Sequence, residues 1–329
     1  MLQSIQSKAI AAAFCFAASN ATAQVAVSPA YPAKPVRIIV PYAPGGSTDV
    51  VARLLGQHLS ERWKTQVVVE NRPGGNSIIG TDLVAKASAD GYTLLMGTSA
   101  NATNPSMYSR LPYNAITDFS TISLVSTSPN MIVAHPSVPA RDLRELARIA
   151  KAQPKSVSYG SAGYGSSQHL TMELIALRLG VNLNHIGYKG AGPATLDAVA
   201  GYIALCVSTI ATFEAYVKTG RLKALGVTSA KRSTAFPDVA TADEQGLKGF
   251  ETLYWLGLMG PPGVPEVVTA KISNEVAAVL KVPELQSRLA QLGIDPVGGA
   301  PQAFGAFYQT ELANWAKVVK DANLDKLEH

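Results

Sequence analysis

The sequence predicts an α/β fold in two lobes joined by a pair of crossover strands, and three observations predict it. From residue 36 onward, short runs rich in Val and Ile alternate with helically spaced apolar residues across glycine-rich turns, the pattern of parallel strands covered by helices. The 329 residues exceed what a single core commonly supports. Two apolar stretches, Thr121 to Ala134 and Phe250 to Gly260, are long enough to pass from one lobe to the other.

The first lobe opens with the β-branched run Val36 to Pro41, followed by a helix over Val50 to Leu59, a strand over Gln66 to Glu70, a helix over Thr81 to Ala87 and a strand over Tyr92 to Gly97. The second series runs from Met131 to Ala134 through the helix Leu143 to Gln153, the strand Ser156 to Tyr159, and the segments Leu170 to Leu179, His185 to Tyr188 and Leu222 to Val227. Pro261-Pro262-Gly263 ends the return crossover. Three helical patterns then follow without strand signals, Val267 to Leu280, Glu284 to Leu292 and Pro301 to Ala322, and are expected to cover the first lobe. The boundaries expected are 24–127 with 256–329 for the first lobe and 128–255 for the second.

The opening residues read as an export leader. Lys8 precedes the apolar run Ala9 to Ala18, and Ala21-Thr22-Ala23 offers small residues at the positions a signal peptidase reads, which places cleavage after Ala23. The run is about half the ~20 residues of a membrane span. Phe14 before Cys15 argues against lipid attachment. Without the leader, Cys206 is the single cysteine, so no internal disulfide is expected in an oxidising compartment. The net charge of +5 is spread along the chain with no basic, aromatic-interleaved run, which excludes a nucleic-acid surface and leaves a weak steering field for anions. Leu327-Glu328-His329 resembles a tag remnant.

Four loops follow strands and precede helices, and ligands of open α/β sheets bind beyond the carboxyl ends of strands. The first is Pro41 to Asp49, where Gly45 and Gly46 let a ligand approach and the next helix offers free N–H groups; the same Ser47, Thr48 or Asp49 would equally serve as a helix cap. The second is Gly97 to Asn101, carrying Ser99 and Ala100. The third, Tyr159 to His169, is the strongest signal, with Ser161, Gly163, Ser166 and Ser167 crowded at a helix start. The fourth, Tyr188 to Ala194, carries Gly190 and Ala191 ahead of a first-turn Pro193. Loops one and two belong to the first lobe and loops three and four to the second, so a carboxylate held between them bridges the lobes and closes them. Hydrogen bonds to a charged carboxylate contribute roughly 1.5–3 kcal/mol each, so three or four support micromolar binding after association costs. His169 is expected to donate to that carboxylate, and Lys189 either balances its charge or points to solvent.

Enzyme motifs do not form. Gly97-Thr98-Ser99-Ala100-Asn101 fails the nucleophile elbow at its last position, and Ser161 has Tyr159 in place of the first glycine. The first two loops carry neither a P-loop nor a dinucleotide fingerprint. The five histidines are scattered without metal-ligand spacing. No catalytic residue, cofactor or metal is expected. Two other readings stay open: a ligand-presenting adaptor for a sensor kinase, and an exported serine hydrolase using Ser99 or Ser161.

Pro41 to Asp49, Glu70-Asn71-Arg72-Pro73-Gly74-Gly75 and Asp90-Gly91-Tyr92-Thr93-Leu94 resemble signature segments of the Bug family. Tyr159 to Gly163, Ser166 to Leu170, Tyr188-Lys189-Gly190, Gly192-Pro193-Ala194 and Leu225 to Arg232 extend the resemblance along the chain past its leader. That family comprises periplasmic receptors of tripartite tricarboxylate transporters. The resemblance implies a type II, Venus-flytrap binding-protein fold acting as a monomer, a small carboxylate ligand, often a dicarboxylate, and inner-membrane permease subunits as partners. It points to Ser47, Thr48, Asp49, Ser161, Gly163, Ser166, Ser167 and His169 at one carboxylate, and to Ser99, Ala100, Ser128, Gly190, Ala191 and Thr209 at the far end. Where many relatives carry an acidic residue, this chain has Gly201 to Cys206, with Tyr202; a less charged far pocket would suit an aromatic diacid of the phthalate type better than an amino acid.

Overall fold

A computed structural model describes residues 31–328. The expected leader, its cleavage point after Ala23 and Cys15 lie outside the described residues. No helix among the described residues is long and apolar enough to cross a membrane.

The elements of the first series are β1 (Val36–Val40), α1 (Ser47–Trp63), β2 (Val67–Asn71), α2 (Ile78–Ala85), β3 (Thr93–Thr98) and α3 (Ser99–Met107). The long β4 (Ser120–Ala134) leads into α4 (Leu143–Ala152), β5 (Ser158–Ser161), α5 (Ser167–Leu179), β6 (Asn184–Gly187), α6 (Ala191–Ala200), β7 (Leu205–Thr209), α7 (Ile210–Lys218) and β8 (Lys223–Val227). The chain returns through β9 (Leu253–Gly260) to α8 (Glu266–Val279), α9 (Pro283–Gln291), β10 (Asp295–Pro296) and α10 (Pro301–Asp321).

Strand order runs β2-β1-β3-β9-β4-β7-β5-β6, with β8 and β10 also on β4. β1 lies parallel between β2 and β3, and β5 lies parallel between β6 and β7. In each set helices cover the strands, so runs such as Val36–Val40 are almost wholly apolar rather than alternating. β4 belongs to both sets: residues 120–129 pair with β9 and residues 130–134 with β7. Fifteen residues of strand span about 50 Å, enough to thread two lobes. Thr121 to Ala134 was therefore read correctly as a crossover. β9 is shorter and stays beside β3 and β4; the crossing back is made by the residues before it, where Thr252 donates its N–H to the carbonyl of Thr228 at 3.0 Å.

Each lobe has its own core. Ile39, Leu95, Trp255, Phe304, Tyr308 and Trp315 fill the first, so α10 does cover it as expected. In the second, Ile132, Leu146, Tyr159, Met172, Val207 and Leu225 lie on one side of the strands, and Met131, Val133, Cys206 and Phe213 on the other. Leu327, the first of the three residues that resemble a tag remnant, bridges to Tyr108, and its carbonyl accepts the N–H of Ser109 at 2.9 Å.

Candidate functional site

The carboxyl edges of the two strand sets face each other along β4. Thr98, the last residue of β3, sits opposite Leu256 of β9, which pairs with Ser126 of β4. Thr209, the last residue of β7, pairs with Asn130 of β4. Four residues of one strand, about 13 Å, separate those rows, which is the span of a small organic ligand. The loops after β1, β3, β5, β6 and β7 open onto this gap.

The first loop is held rigidly and leaves amides free. Helix α1 begins directly at Ser47 after an extended Gly46, without a side-chain cap, so Ser47, Thr48 and Asp49 do not act as the N-cap the sequence allowed. Their three N–H groups find no acceptor among the described residues. Asp49 is buried, and both its oxygens are engaged: one accepts the Gly45 N–H at 2.9 Å and the Arg53 Nε–H at 3.0 Å, the other Asn71 Nδ2 at 2.9 Å and Arg53 Nη2 at 2.9 Å. Burial pushes its carboxyl up, but those donors outweigh it and hold the group below its ordinary value. The negative charge of Asp49 is thus compensated within the loop by Arg53 and its hydrogen-bond donors. A Cβ on Gly45 or Gly46 would meet nothing within 4 Å, so the backbone there borders open space. Thr48 Oγ1 lies 2.9 Å from the hydroxyl of Tyr254, and Tyr254 is the register partner of Ser128.

The second loop turns inward. Ser99 Oγ accepts the Trp255 N–H at 3.0 Å, and the Ala100 N–H reaches Thr98 Oγ1 at 3.3 Å as part of a capping box with Asn101. Both residues are buried; Ser99 ties α3 to β9 and Ala100 completes the cap of α3, so their expected contact with a ligand stays a proposal.

The third loop divides its groups. Ser166 caps α5 by accepting the His169 N–H at 3.2 Å, and its hydroxyl donates to the carbonyl of Gly163 at 2.6 Å. Ser161 Oγ receives the Gly163 N–H at 3.2 Å and lies 2.7 Å from His185 Nε2. His169 is also turned inward: its Nδ1 accepts the Gly165 N–H at 3.2 Å, and its ring stacks on His185 with centroids 4.0 Å apart. Burial, then the neighbouring His185, pull its pKa down to about 3. The ring is neutral at neutral pH and packs within the loop wall; with Nδ1 accepting, Nε2 carries the proton, 3.8 Å from Glu173, and a contact from His169 to a carboxylate stays a proposal. The N–H groups of Ser167 and Gln168, at the open start of α5, find no acceptor among the described residues.

The fourth loop leans on the third through Gly190 N–H to Ala162 O at 3.1 Å, while Cβ positions on Gly190 and Gly192 face open space. Ala191 starts α6, and Lys189 is exposed. Thr209 precedes α7, its hydroxyl 3.2 Å from Thr212 Oγ1. Tyr202 is 80% exposed on the turn before β7, at the opposite end of that strand from Thr209. The departure over residues 201–206 therefore lies away from the loops and does not line a ligand pocket.

The Ser161–His185 contact has the spacing of a nucleophile and its base, but Ser161 is fully buried, and no carboxylate orients His185 among the described residues. No cluster of three His, Cys, Asp or Glu fit to hold a metal occurs among the described residues. What the arrangement offers is a gap bordered by backbone donors on two helix starts, joined by the row Thr48, Tyr254, Ser128, Asn130 and Thr209. Sequence reasoning missed Arg53, Asn71, Tyr254 and Asn130. Asn71 lay in a segment that carries the family resemblance, and Asn130 stands out as the one amide side chain in the otherwise apolar tail of a crossover strand.

A family model described as a tripartite tricarboxylate transporter family receptor matches residues 51–324. Among solved structures, a protein of R. palustris with adipate is 32% identical, covers 90% of this chain and 100% of its own, and superposes with a TM-score of 0.83. The periplasmic binding protein BugD is 36% identical with the same coverages and a TM-score of 0.80. MatC from Rhodopseudomonas palustris, with bound malate, is 29% identical over 88% of this chain and 100% of its own, with a TM-score of 0.79.

Proposed function

Because this chain belongs to the tripartite tricarboxylate transporter receptor family, we propose that it is an exported periplasmic receptor that captures a small carboxylate between its lobes and hands it to the inner-membrane permease subunits of such a transporter. The observation that carries the reading is the set of unpartnered N–H groups at Ser47, Thr48, Asp49, Ser167 and Gln168, on two helix starts whose strand edges face each other along β4. Such amides and the positive end of a helix dipole suit a carboxylate without a guanidinium clamp. The lobes divide at 127/128 and 255/256; the first cut falls between the register pairs Thr127–Trp255 and Ser128–Tyr254, and the second lies one residue past that line, beyond Trp255, whose ring packs in the first core. The ligand-contacting set then comprises the amides of the first and third loops, with Ser128, Gly190, Ala191 and Thr209 toward the far end.

A dicarboxylate is the class that the two acid-bound neighbours favour. A phthalate-type aromatic diacid rested on residues 201–206, and the position of Tyr202 removes most of that support. Titration calorimetry of the mature chain against aliphatic, hydroxylated, amino and aromatic acids tests the proposal. Micromolar binding of one or more acids is the expected result, and no binding across the panel sinks it. Capture of permease subunits by the ligand-loaded chain, and not by the free chain, tests delivery.

A further inference from the structure

Asn130 is completely buried, and neither its Oδ1 nor its Nδ2 has a hydrogen-bond partner. Its backbone is satisfied: the N–H donates to Thr228 Oγ1 at 2.9 Å, and the carbonyl accepts the Thr228 N–H at 3.0 Å. Only the side-chain amide is unfilled. Buried amides with both ends unmet are rare and destabilising, so a fold that keeps one places it where something else completes it.

Strand alternation shows where that amide points. Ile132 belongs to the core that α5 covers with Met172 and Ile175, while Met131 belongs to the core on the other side. Asn130, two residues before Ile132, shares its side. Val207 of β7 is in the same core, so Thr209, paired with Asn130, points the same way. Beyond that core edge α5 begins, with the free amides of Ser167 and Gln168 in its first turn. The orphaned amide and the open helix start therefore lie on the same side of the sheet, at the level where β7 ends.

Resting on the receptor reading above, we infer that Asn130 is a specificity-determining residue of the cleft and selects a carboxylate that carries a hydroxyl on a neighbouring carbon. A carboxamide needs an acceptor for Nδ2 and a donor for Oδ1. A bare dicarboxylate at neutral pH supplies acceptors only, leaving Oδ1 unmet and set against anionic oxygen. An adjacent hydroxyl and carboxylate supply both: the hydroxyl donates to Oδ1 and a carboxylate oxygen accepts from Nδ2. An ammonium group also donates, but it needs a nearby anion. Asp49 is already claimed by Arg53, Asn71 and Gly45, and Glu173 accepts the Tyr159 hydroxyl at 2.5 Å. A site that hydrogen-bonds a substrate hydroxyl discriminates strongly against the analogue lacking it.

Succinate and malate differ only by that hydroxyl, and aspartate replaces it with an ammonium. Calorimetry on the mature chain is expected to show malate bound at least about tenfold more tightly than succinate, with aspartate weaker than malate. In Asn130→Leu, which removes both polar atoms at similar volume, the malate-to-succinate ratio falls to near one. Equal binding of the two acids by the unaltered chain, survival of the preference in the variant, or aspartate as the tightest ligand each overturns the inference while leaving the receptor reading intact. Failure of every acid in the wider panel ends both. Should the variant not fold, a crystal structure of the unaltered chain with malate decides: a hydroxyl within about 3 Å of Oδ1 supports the assignment, and water alone on Oδ1 defeats it.

Discussion

The rings of His169 and His185 stack with centroids 4.0 Å apart inside the wall of the third loop, flanked by Tyr159 and Tyr164. Burial, and for His169 also the second ring, bring their pKa values down to about 3 and about 4. Glu173 of α5 lies 3.8 Å from His169 Nε2, and burial pushes its carboxyl up.

A pH dependence follows from that pair. Each histidine binds a proton more readily unfolded, near pH 6.5, than folded, so its stabilisation is complete above that value and is lost as pH falls toward its folded pKa. Glu173 acts in the opposite sense and offsets part of the loss. Net destabilisation of about 2 kcal/mol is expected between pH 7.5 and pH 5, read from urea midpoints. An unchanged midpoint over that range would show that the rings are not enclosed as described.

The proposed amide contacts are testable without touching a side chain that holds the fold. Proline fits the first helical position, and the preceding residues Gly46 and Ser166 are already extended, at ψ 167° and 155°. Ser47→Pro and Ser167→Pro each delete one N–H. Relative to the matching Ser→Ala variants, ligand affinity is expected to fall roughly 10- to 150-fold, with little change in urea stability. Affinity equal to that of the Ala variants would mean the amide meets no ligand.

Much of the architecture was legible because it rests on local pattern. The apolar strands, the amphipathic α4 with its Asp142 cap, and the long β4 are each written in a few adjacent residues. The segment holding β7 and α7 was not resolved, since Leu205–Thr209 and Ile210–Lys218 form one apolar run without a glycine or proline between strand and helix. At the site, the sequence located the loops but not the orientation of their side chains. Ser99, Ser161 and His169 look like ligand contacts when only type and loop position are known, and their buried partners Trp255 and His185 come from pairing that no local pattern encodes. The free backbone amides at the helix starts follow from helix geometry alone, because the first N–H groups of a helix have no intrahelical acceptor whatever its side chains are.

Gly257 sits in β9 where the second lobe's return strand meets α10. A Cβ there would lie 2.2 Å from Cζ of Phe304, far inside contact distance. Gly257→Ala is expected to destabilise the chain by about 1–3 kcal/mol through overpacking. Adding Phe304→Leu makes room and recovers part of that loss. A single variant as stable as the parent in urea would contradict the close approach of α10.

Cys206 tests the centre of the second lobe. It is fully buried in β7, a strand flanked by β4 and β5, and burial pushes its thiol up to about 12. A thiol reagent attacks the thiolate, and this one is both protonated and enclosed at neutral pH. Labelling of the native chain is therefore expected to be slow and to rise with urea in step with global unfolding, because exposing Cys206 requires β7 to part from its neighbours. Rapid labelling in native buffer would mean that β7 opens locally, and with it Thr209 and the edge that carries the proposed far end of the ligand site.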